Sequence, residues 1–332
     1  MASENKKRKA RAEEPQQQPH STSGSDSGGS SSWWAWLLGR GTNSPSPGAG
    51  SATTLPLGTL PPTYVEGWHD EGAVRKMAYR RLGDTGMVVS VLSLGASSLG
   101  GVFGDRVDED EAVDLVAKAV RAGVNLIDTA PWYGQGKSER VLGKALKLVP
   151  REALYINTKV GRYELDELRM FDFRGARVTQ SVYESLERLG VGYLDTIQVH
   201  DPEFAPDLDI ILHETLPALH GLKAEGVVRH VGVTGYPLPI LRRLLEESPM
   251  AIDTCLSYCH HALNNATLVP ELLPLIQGKG VGLINAGPLS MGLLTPRGPP
   301  AWHPALDEQK RACRQVKRSM GTHDDPASFF LI

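Results

Sequence analysis

Seven short apolar segments, separated by amphipathic helical patterns, constrain the fold of this chain more than any other feature. Continuous apolar runs of this length are typical of parallel strands that are buried on both faces. The strand segments cover residues 91–96, 125–128, 154–159, 194–200, 228–234, 253–259 and 281–286. The helical patterns lie near residues 109–122, 138–147, 176–189, 208–225, 237–247 and 264–278. This alternation predicts an α/β fold with a parallel sheet.

Two parallel architectures fit the alternation, an open doubly wound sheet and a (β/α)8 TIM barrel. The first strand is followed by the residues Gly-Ala-Ser-Ser-Leu-Gly-Gly at 95–101. They do not match the G-x-G-x-x-G pattern, which disfavours a Rossmann fold. The even spacing of about thirty residues per strand–helix unit favours the barrel. We therefore predict a barrel, preceded by a β-hairpin in which residues 79–82 and 88–91 flank a short turn.

The N-terminal part of the chain has a different composition from the rest. Residues 1–76 contain a basic cluster between Lys6 and Arg11, followed by Gln/Pro-rich and Ser/Gly-rich stretches. Such composition buries too little apolar surface to offset chain entropy, so we predict a disordered low-complexity tail over 1–76 and the barrel over 77–332. The basic cluster is a candidate nuclear import signal, with a solvated charge run as the alternative. The apolar patch from Trp33 to Trp36 either docks on a folded surface or is simply exposed.

Composition and charge indicate which kinds of partner and which cellular compartment to expect. The net charge of the 332 residues is −3, so charge does not indicate a nucleic-acid partner. No apolar run reaches the roughly 18 residues of a membrane span, and no signal peptide is recognised. Three cysteines suit a reducing compartment without a disulfide framework. We therefore expect a cytoplasmic protein that acts on a small molecule, with neither nucleic acid nor membrane as partner.

One group of residues has the side-chain types of a metal site. Cys255, Cys259, His260 and His261 lie close together in the sequence. On a strand, however, the two adjacent histidines would point to opposite faces, so they cannot both join the cysteines around one ion. No metal site is predicted.

Titratable residues occur at the ends of three successive strands, where barrel enzymes carry their chemistry. Asp128 ends the second strand, Lys159 the third and His200 the fourth, and Tyr133 follows in the loop after Asp128. A phenol with a pKa of about 10 exchanges protons poorly near pH 7, but a lysine ammonium nearby lowers that pKa. Asp128 would hold the lysine, and His200 would orient a substrate oxygen. This set predicts carbonyl/alcohol interconversion with hydride from a cofactor. Taken singly, each residue also has an ordinary structural explanation.

Four motifs resemble those of the aldo-keto reductase family. They are Asp-Thr-Ala-Pro-Trp-Tyr at 128–133, Thr-Lys-Val-Gly at 158–161, Asp-Thr-Ile-Gln-Val-His at 195–200 and Val-Gly-Val-Thr-Gly at 231–235. The resemblance extends over residues 79–304 and implies a (β/α)8 barrel that binds NAD(P)H. It implies that Tyr133 is the general acid–base, that Lys159 and Asp128 set its pKa, and that His200 orients the substrate.

Further stretches resemble the branch of L-galactose dehydrogenase and related aldose 1-dehydrogenases. They lie at residues 101–104, 200–204, 257–260, 287–294 and 298–304. This resemblance implies oxidation of a sugar C1 hydroxyl to the lactone, with NAD favoured over NADP. It places Thr234 and Ser257 near the nicotinamide amide, and Pro288 and Leu289 along the pyrophosphate. The aromatic residue that usually stacks on the nicotinamide is replaced here by Ala286.

The C-terminal part departs from the family pattern. After the seventh strand come a Pro-rich loop, a basic helix over about 305–320 and the last twelve residues, without a recognisable eighth strand or phosphate-binding loop. We therefore expect a barrel that lacks strand 8 and its helix, cut off before the last βα unit, with an open seam through which copies could associate. Two functions follow: an NAD(P)-dependent oxidoreductase acting on an aldose or other small carbonyl compound, or a catalytically weak protein that serves as a binding module.

Overall fold

The computed structural model describes residues 54–102, 108–295 and 298–320 of the chain. The basic cluster between Lys6 and Arg11 and the patch from Trp33 to Trp36 lie outside these residues, as do Phe103 and Gly104 of the branch motif. None of the helices in the described ranges is long and apolar enough to cross a membrane.

The core of the fold is a curled parallel sheet of seven strands whose spatial order follows the chain. An antiparallel hairpin of β1 (Tyr79–Arg81) and β2 (Val88–Ser90) precedes it. The sheet strands are β3 (Leu94–Gly95), β4 (Leu126–Asp128), β5 (Tyr155–Val160), β6 (Leu194–His200), β7 (Val228–Gly235), β8 (Thr254–Tyr258) and β9 (Gly282–Ala286). The predicted α/β fold is confirmed, and each predicted strand overlaps one of these seven.

Helices connect successive strands and cover the outside of the sheet, and one further helix precedes the hairpin and another follows β9. They are α1 (Glu71–Val74), α2 (Glu109–Arg121), α3 (Lys137–Leu146), α4 (Gly175–Leu189), α5 (Leu208–Ile210, a π-helical turn Ile211–Thr215, and Leu216–Ala224), α6 (Leu238–Glu247), α7 (Leu268–Glu271), α8 (Leu273–Gly278) and α9 (Asp307–Met320). Local chemistry sets the helix ends. The Asp108 side chain accepts hydrogen bonds from the first amides of α2, and Gly190 ends α4 in the left-handed conformation.

The two edge strands of the sheet are less buried than its central strand. Every residue of β6 is buried, whereas four of the five residues of β9 are only partly buried and Gly95 of β3 is exposed. Within the described residues, no strand pairs with the outer side of β3 or β9. The architecture is that of a (β/α)8 barrel lacking one strand, as the sequence predicts.

The hairpin closes the amino-terminal end of the barrel. Leu82, Met87 and Val89 pack against Leu126 at the start of β4. The amide of Asp84, in the hairpin turn, donates to the carbonyl oxygen of Gly280 at 2.8 Å. The barrel mouth at the opposite end, where the strands finish, is therefore left free for chemistry.

Residues 54–76, which composition assigns to the tail, pack against this closed end. Val74 is fully buried with Tyr79 and Val88. The Asn125 side-chain amide donates to the Thr63 hydroxyl at 2.8 Å, and both residues are buried. The packed part of the chain thus begins before residue 77, because apolar side chains within residues 54–76 pack around the hairpin.

Candidate active site

Lys159 lies at the centre of the predicted catalytic group. Its side chain is only 2% exposed, and its Nζ is 2.7 Å from each carboxylate oxygen of Asp128. The same nitrogen donates to the carbonyl oxygen of Thr129 at 2.9 Å and lies 3.4 Å from the hydroxyl of Tyr133. The ammonium therefore joins the end of β4, the end of β5 and the loop that carries the phenol.

His200 completes the group from the end of β6. Its ring centroid is 5.9 Å from that of Tyr133, and the two rings are nearly perpendicular, at 88°. The structure thus brings all four predicted catalytic side chains together at the carboxyl ends of three adjacent strands. Tyr133 as a whole residue is partly buried.

Burial and charge together set the protonation states in this group. Burial raises the pKa of Tyr133, and the Lys159 ammonium lowers it by a smaller amount, so the net shift is upward. Burial acts against the charge of Lys159, but Asp128 and Tyr133 outweigh it, so the pKa of Lys159 is raised. Burial, together with the charges of Lys159 and Arg162, brings the pKa of His200 well below 6.5. At neutral pH the site holds a phenol, an ammonium and a neutral imidazole.

A row of hydrogen bonds across the barrel interior supports the group, and the sequence did not single it out. The Asn157 amide donates to Asp128 Oδ1 at 2.5 Å and to Gln198 Oε1 at 3.0 Å. Gln198 in turn donates to the Thr254 hydroxyl at 3.1 Å. Asn157 and Gln198 each lie two residues before a catalytic side chain on the same strand, and so on the same face. This spacing of two residues along a strand is the sequence signal that could have identified Asn157 and Gln198.

Gly232, on β7, leaves space for that row. A Cβ at this position would lie 2.1 Å from the Thr254 hydroxyl oxygen and 2.5 Å from the Thr254 carbonyl oxygen. Since the second of these atoms belongs to the backbone, no side-chain rotation could relieve the clash. The first glycine of the Val-Gly-Val-Thr-Gly motif is thus required by packing.

A second set of polar contacts fixes the loop that carries Tyr133. Ser138, just past the loop, donates to the carbonyl oxygen of Ala96 at 2.7 Å, and its hydroxyl lies 2.9 Å from that of Thr129. The next residue, Glu139, is fully buried and accepts hydrogen bonds from Thr158 and Arg188, each at 2.6 Å. Both ends of the loop are therefore anchored to the strands that carry Asp128 and Lys159.

The residues assigned to the cofactor lie on the neighbouring strands. Thr234 and Ser257 are buried near the ends of β7 and β8. Ser257 is paired in register with Asn285 of β9. The Ser257 Oγ and the Asn285 Oδ1 are buried and have no hydrogen-bond partner among the described residues. A hydroxyl and an amide oxygen left unpaired side by side fit the carboxamide of a nicotinamide ring.

Pro288 and Leu289 lie in the turn after β9. Pro288 is exposed and Leu289 partly buried, so a ligand can reach the turn. Cys255 is fully buried, and burial raises the pKa of its thiol to about 12. No cluster of three or more potential metal ligands occurs in the part of the chain that the structure describes.

Comparisons with known proteins agree with this geometry. A profile of the Aldo/keto reductase family matches residues 91–324. The chain is 50% identical to L-galactose dehydrogenase of Arabidopsis thaliana over 242 residues, which cover 72% of this chain and 74% of the relative. It is 34% identical to D-arabinose 1-dehydrogenase of Saccharomyces cerevisiae, with 69% and 70% covered. The holo form of an aldo-keto reductase from Bacillus halodurans superposes with a TM-score of 0.63 at 30% identity, covering 77% of this chain and 81% of that one.

Proposed function

This chain belongs to the aldo/keto reductase family, and on that premise we propose that it oxidises an aldose at C1 to the corresponding lactone. Family membership makes it an oxidoreductase that uses a nicotinamide cofactor. An aldose as the substrate is supported by relatives named L-galactose dehydrogenase and D-arabinose 1-dehydrogenase.

Tyr133 is the residue to which we assign proton transfer. During oxidation the proton of the substrate C1 hydroxyl passes to the Tyr133 oxygen, and during reduction the phenol returns it to the carbonyl oxygen. Lys159, at 3.4 Å, stabilises the phenolate that this exchange requires. Asp128 binds the ammonium through both oxygens and keeps it in place.

His200 is the residue to which we assign substrate orientation. Its imidazole is neutral at pH 7, since its pKa lies well below 6.5. A neutral imidazole carries one N–H, which can donate to the substrate oxygen that exchanges its proton with Tyr133. The two rings are neighbours, with centroids 5.9 Å apart, so one substrate oxygen could lie within reach of both.

The nicotinamide, when bound, accepts or supplies the hydride. Thr234 and Ser257, with Asn285 beside them, would hold its carboxamide, and Pro288 and Leu289 would lie along the pyrophosphate. We propose NAD rather than NADP, because the motifs resemble those of the L-galactose dehydrogenase branch.

The contact of Lys159 with both Asp128 and Tyr133 is the single observation that carries the proposal. The test is turnover of L-galactose and D-arabinose with NAD and with NADP, together with quenching of reduced-cofactor fluorescence. Tyr133→Phe should lower kcat about 10²–10⁴-fold and leave cofactor affinity intact. Tyr183→Phe, which removes an exposed hydroxyl from helix α4, is the matched control. Near-normal turnover by Tyr133→Phe would refute the assignment.

A second candidate function is a catalytically weak protein that binds partners. The partly exposed strands β3 and β9 at the two sides of the sheet favour it. If the purified chain neither quenches reduced-cofactor fluorescence nor turns over any aldose, this candidate replaces the first.

A further inference from the structure

An ion pair at the barrel mouth lies beside the catalytic group and has no part in the proton transfer described above. Arg162 follows β5, and its Nη1 donates to Asp201 Oδ2 at 2.7 Å. Asp201 follows His200 directly, and the same carboxylate oxygen lies 3.7 Å from the His200 Nε2. The pair therefore lies next to the space in which the substrate oxygen would be held.

The surrounding structure holds both members of the pair firmly. Asp201 has the left-handed backbone conformation, with φ of 52°, and its amide donates to the carbonyl oxygen of Thr234 at 2.8 Å. The Arg162 guanidinium lies over the Trp132 ring, 3.6 Å from its centroid. The Arg162 backbone also pairs with that of Phe171. The backbone turn and the cation–π contact therefore fix the positions of the aspartate and the arginine relative to each other.

Both side chains keep hydrogen-bonding capacity for a ligand. Arg162 and Asp201 are 21% and 18% exposed, so neither is sealed inside the protein. Among the described residues, the guanidinium makes one hydrogen bond, that to Asp201. Its Nε is buried without a partner in this part of the chain, so the N–H groups left for a ligand are the remaining ones on the two Nη atoms. Nearby, Phe204 stacks on Phe171 with ring centroids 4.6 Å apart and is itself 58% exposed.

This combination matches one chemical class of substrate. Neighbouring hydroxyl groups both donate and accept, so they can bond an aspartate and an arginine at the same time. An exposed aromatic ring beside them can pack against the C–H face of a sugar. A simple aldehyde would leave the charged pair unused. A carboxylate substrate would be attracted by Arg162 but repelled by Asp201, so the pair gives it no clear advantage.

We propose that Arg162 and Asp201 bind the hydroxyl groups adjacent to the reacting carbon and thereby select polyhydroxylated substrates. This inference rests on the proposed function, since it assigns a specificity role within the same site. It predicts that the two residues affect the choice between substrates more than the chemical step itself.

The test compares the reduction of glyceraldehyde with that of propanal, which has the same carbon chain without hydroxyls. In the unaltered chain, kcat/KM should be higher for glyceraldehyde. In Asp201→Asn and in Arg162→Lys, the ratio of the two kcat/KM values should fall about 10–100-fold, while kcat for propanal changes far less. Because both substrates are measured on the same sample, the ratio is independent of the fraction that folds.

Asp253→Asn is the matched control. Asp253 accepts hydrogen bonds from Lys223 at 2.6 Å and from the Val231 amide at 2.8 Å, just before β8 begins and far from the mouth. Its substitution should leave the substrate ratio unchanged. An unchanged ratio in both Asp201→Asn and Arg162→Lys would overturn the specificity role alone. Failure of the unaltered chain both to reduce these aldehydes and to oxidise L-galactose or D-arabinose would instead refute the proposed function.

Discussion

Lys159 is a charged side chain that is almost completely buried, paired with Asp128 and in contact with the hydroxyl of Tyr133. Because the ammonium lowers the pKa of Tyr133, its removal should raise that pKa further above its already elevated value. Oxidation needs the deprotonated phenolate of Tyr133 to accept the substrate proton, so its rate rises with pH up to that pKa. In Lys159→Met the rising limb of the pH–rate profile for oxidation should therefore move upward by roughly one pH unit or more.

The measurement is kcat for aldose oxidation from pH 6 to pH 11. Lys223→Met, which removes a lysine from an ion pair remote from the mouth, serves as the control and should keep the original profile. Superimposable profiles for Lys159→Met and the unaltered chain would show that Lys159 is only structural.

Individual residues differ in how far the sequence could identify them. Asp128, Lys159 and His200 are titratable residues at strand ends, a position that already indicates chemistry in a barrel. Asn157 and Gln198 are uncharged residues within buried strands. In the sequence, only their spacing of two residues from Lys159 and His200 relates them to the site, and their contact depends on the register between the strands. The net rise of the Tyr133 pKa also lay beyond the sequence, because it depends on how deeply the loop is buried.

Gly232 gives a stability test of the interior hydrogen-bond row. Gly232→Ala should lower the free energy of unfolding by about 1–3 kcal/mol, as expected for overpacking against a backbone carbonyl. Gly221→Ala is the control, because its Cβ would meet no atom within 4 Å and the residue lies in a helix. That control should stabilise by roughly 0.5–1 kcal/mol. Denaturant unfolding measures both, and equal midpoints for the two variants would contradict the packing argument.

Among the secondary-structure elements, the central strands were predicted most accurately. The predicted strand at 194–200 matches β6, whose seven residues are all buried. The predicted strand at 91–96 shortens to β3, because pairing with β4 involves only Leu94 and Gly95. The predicted helix at 264–278 divides into α7 and α8, since Pro274 near the start of α8 has no N–H to continue the first helix.

The segment before the hairpin yields a prediction about the start of the folded domain. Removing residues 1–53 should leave the thermal midpoint within a few degrees, given their composition. Removing 1–76 also takes away the fully buried Val74, worth about 1.5–3 kcal/mol, and the Thr63 hydrogen bond. At about 2–4 °C per kcal/mol, the longer deletion should lower the midpoint by roughly 5 °C or more. If calorimetry gives the same thermal midpoint for the two deletions, the folded domain begins at residue 77.

The molecule as a whole follows from the spacing of its elements. Units of about thirty residues fix a strand–helix alternation, and parallel strands joined by right-handed crossovers curl in one direction. The spacing of the elements therefore predicts the barrel architecture and its seven strands from the sequence alone. The spacing does not predict the curvature of the sheet or the exposure of β3 and β9, because these two properties depend on the three-dimensional positions of the edge strands.

Those two edge strands lead to a prediction about association, which we propose as a property of the chain described here. An unpaired strand edge presents a row of free N–H and C=O groups to other molecules, and a closed barrel would have none. We therefore expect sedimentation velocity to show a concentration-dependent dimer at micromolar concentrations. Gly95→Lys should shift the equilibrium to monomer, because Gly95 is exposed on β3, its Cβ would meet no atom within 4 Å, and an edge charge opposes strand pairing. Gly192→Lys makes the same change in an exposed loop with equal space, and should leave the dimer intact. A monomer at every concentration, or equal effects of the two substitutions, would show that the edges do not pair.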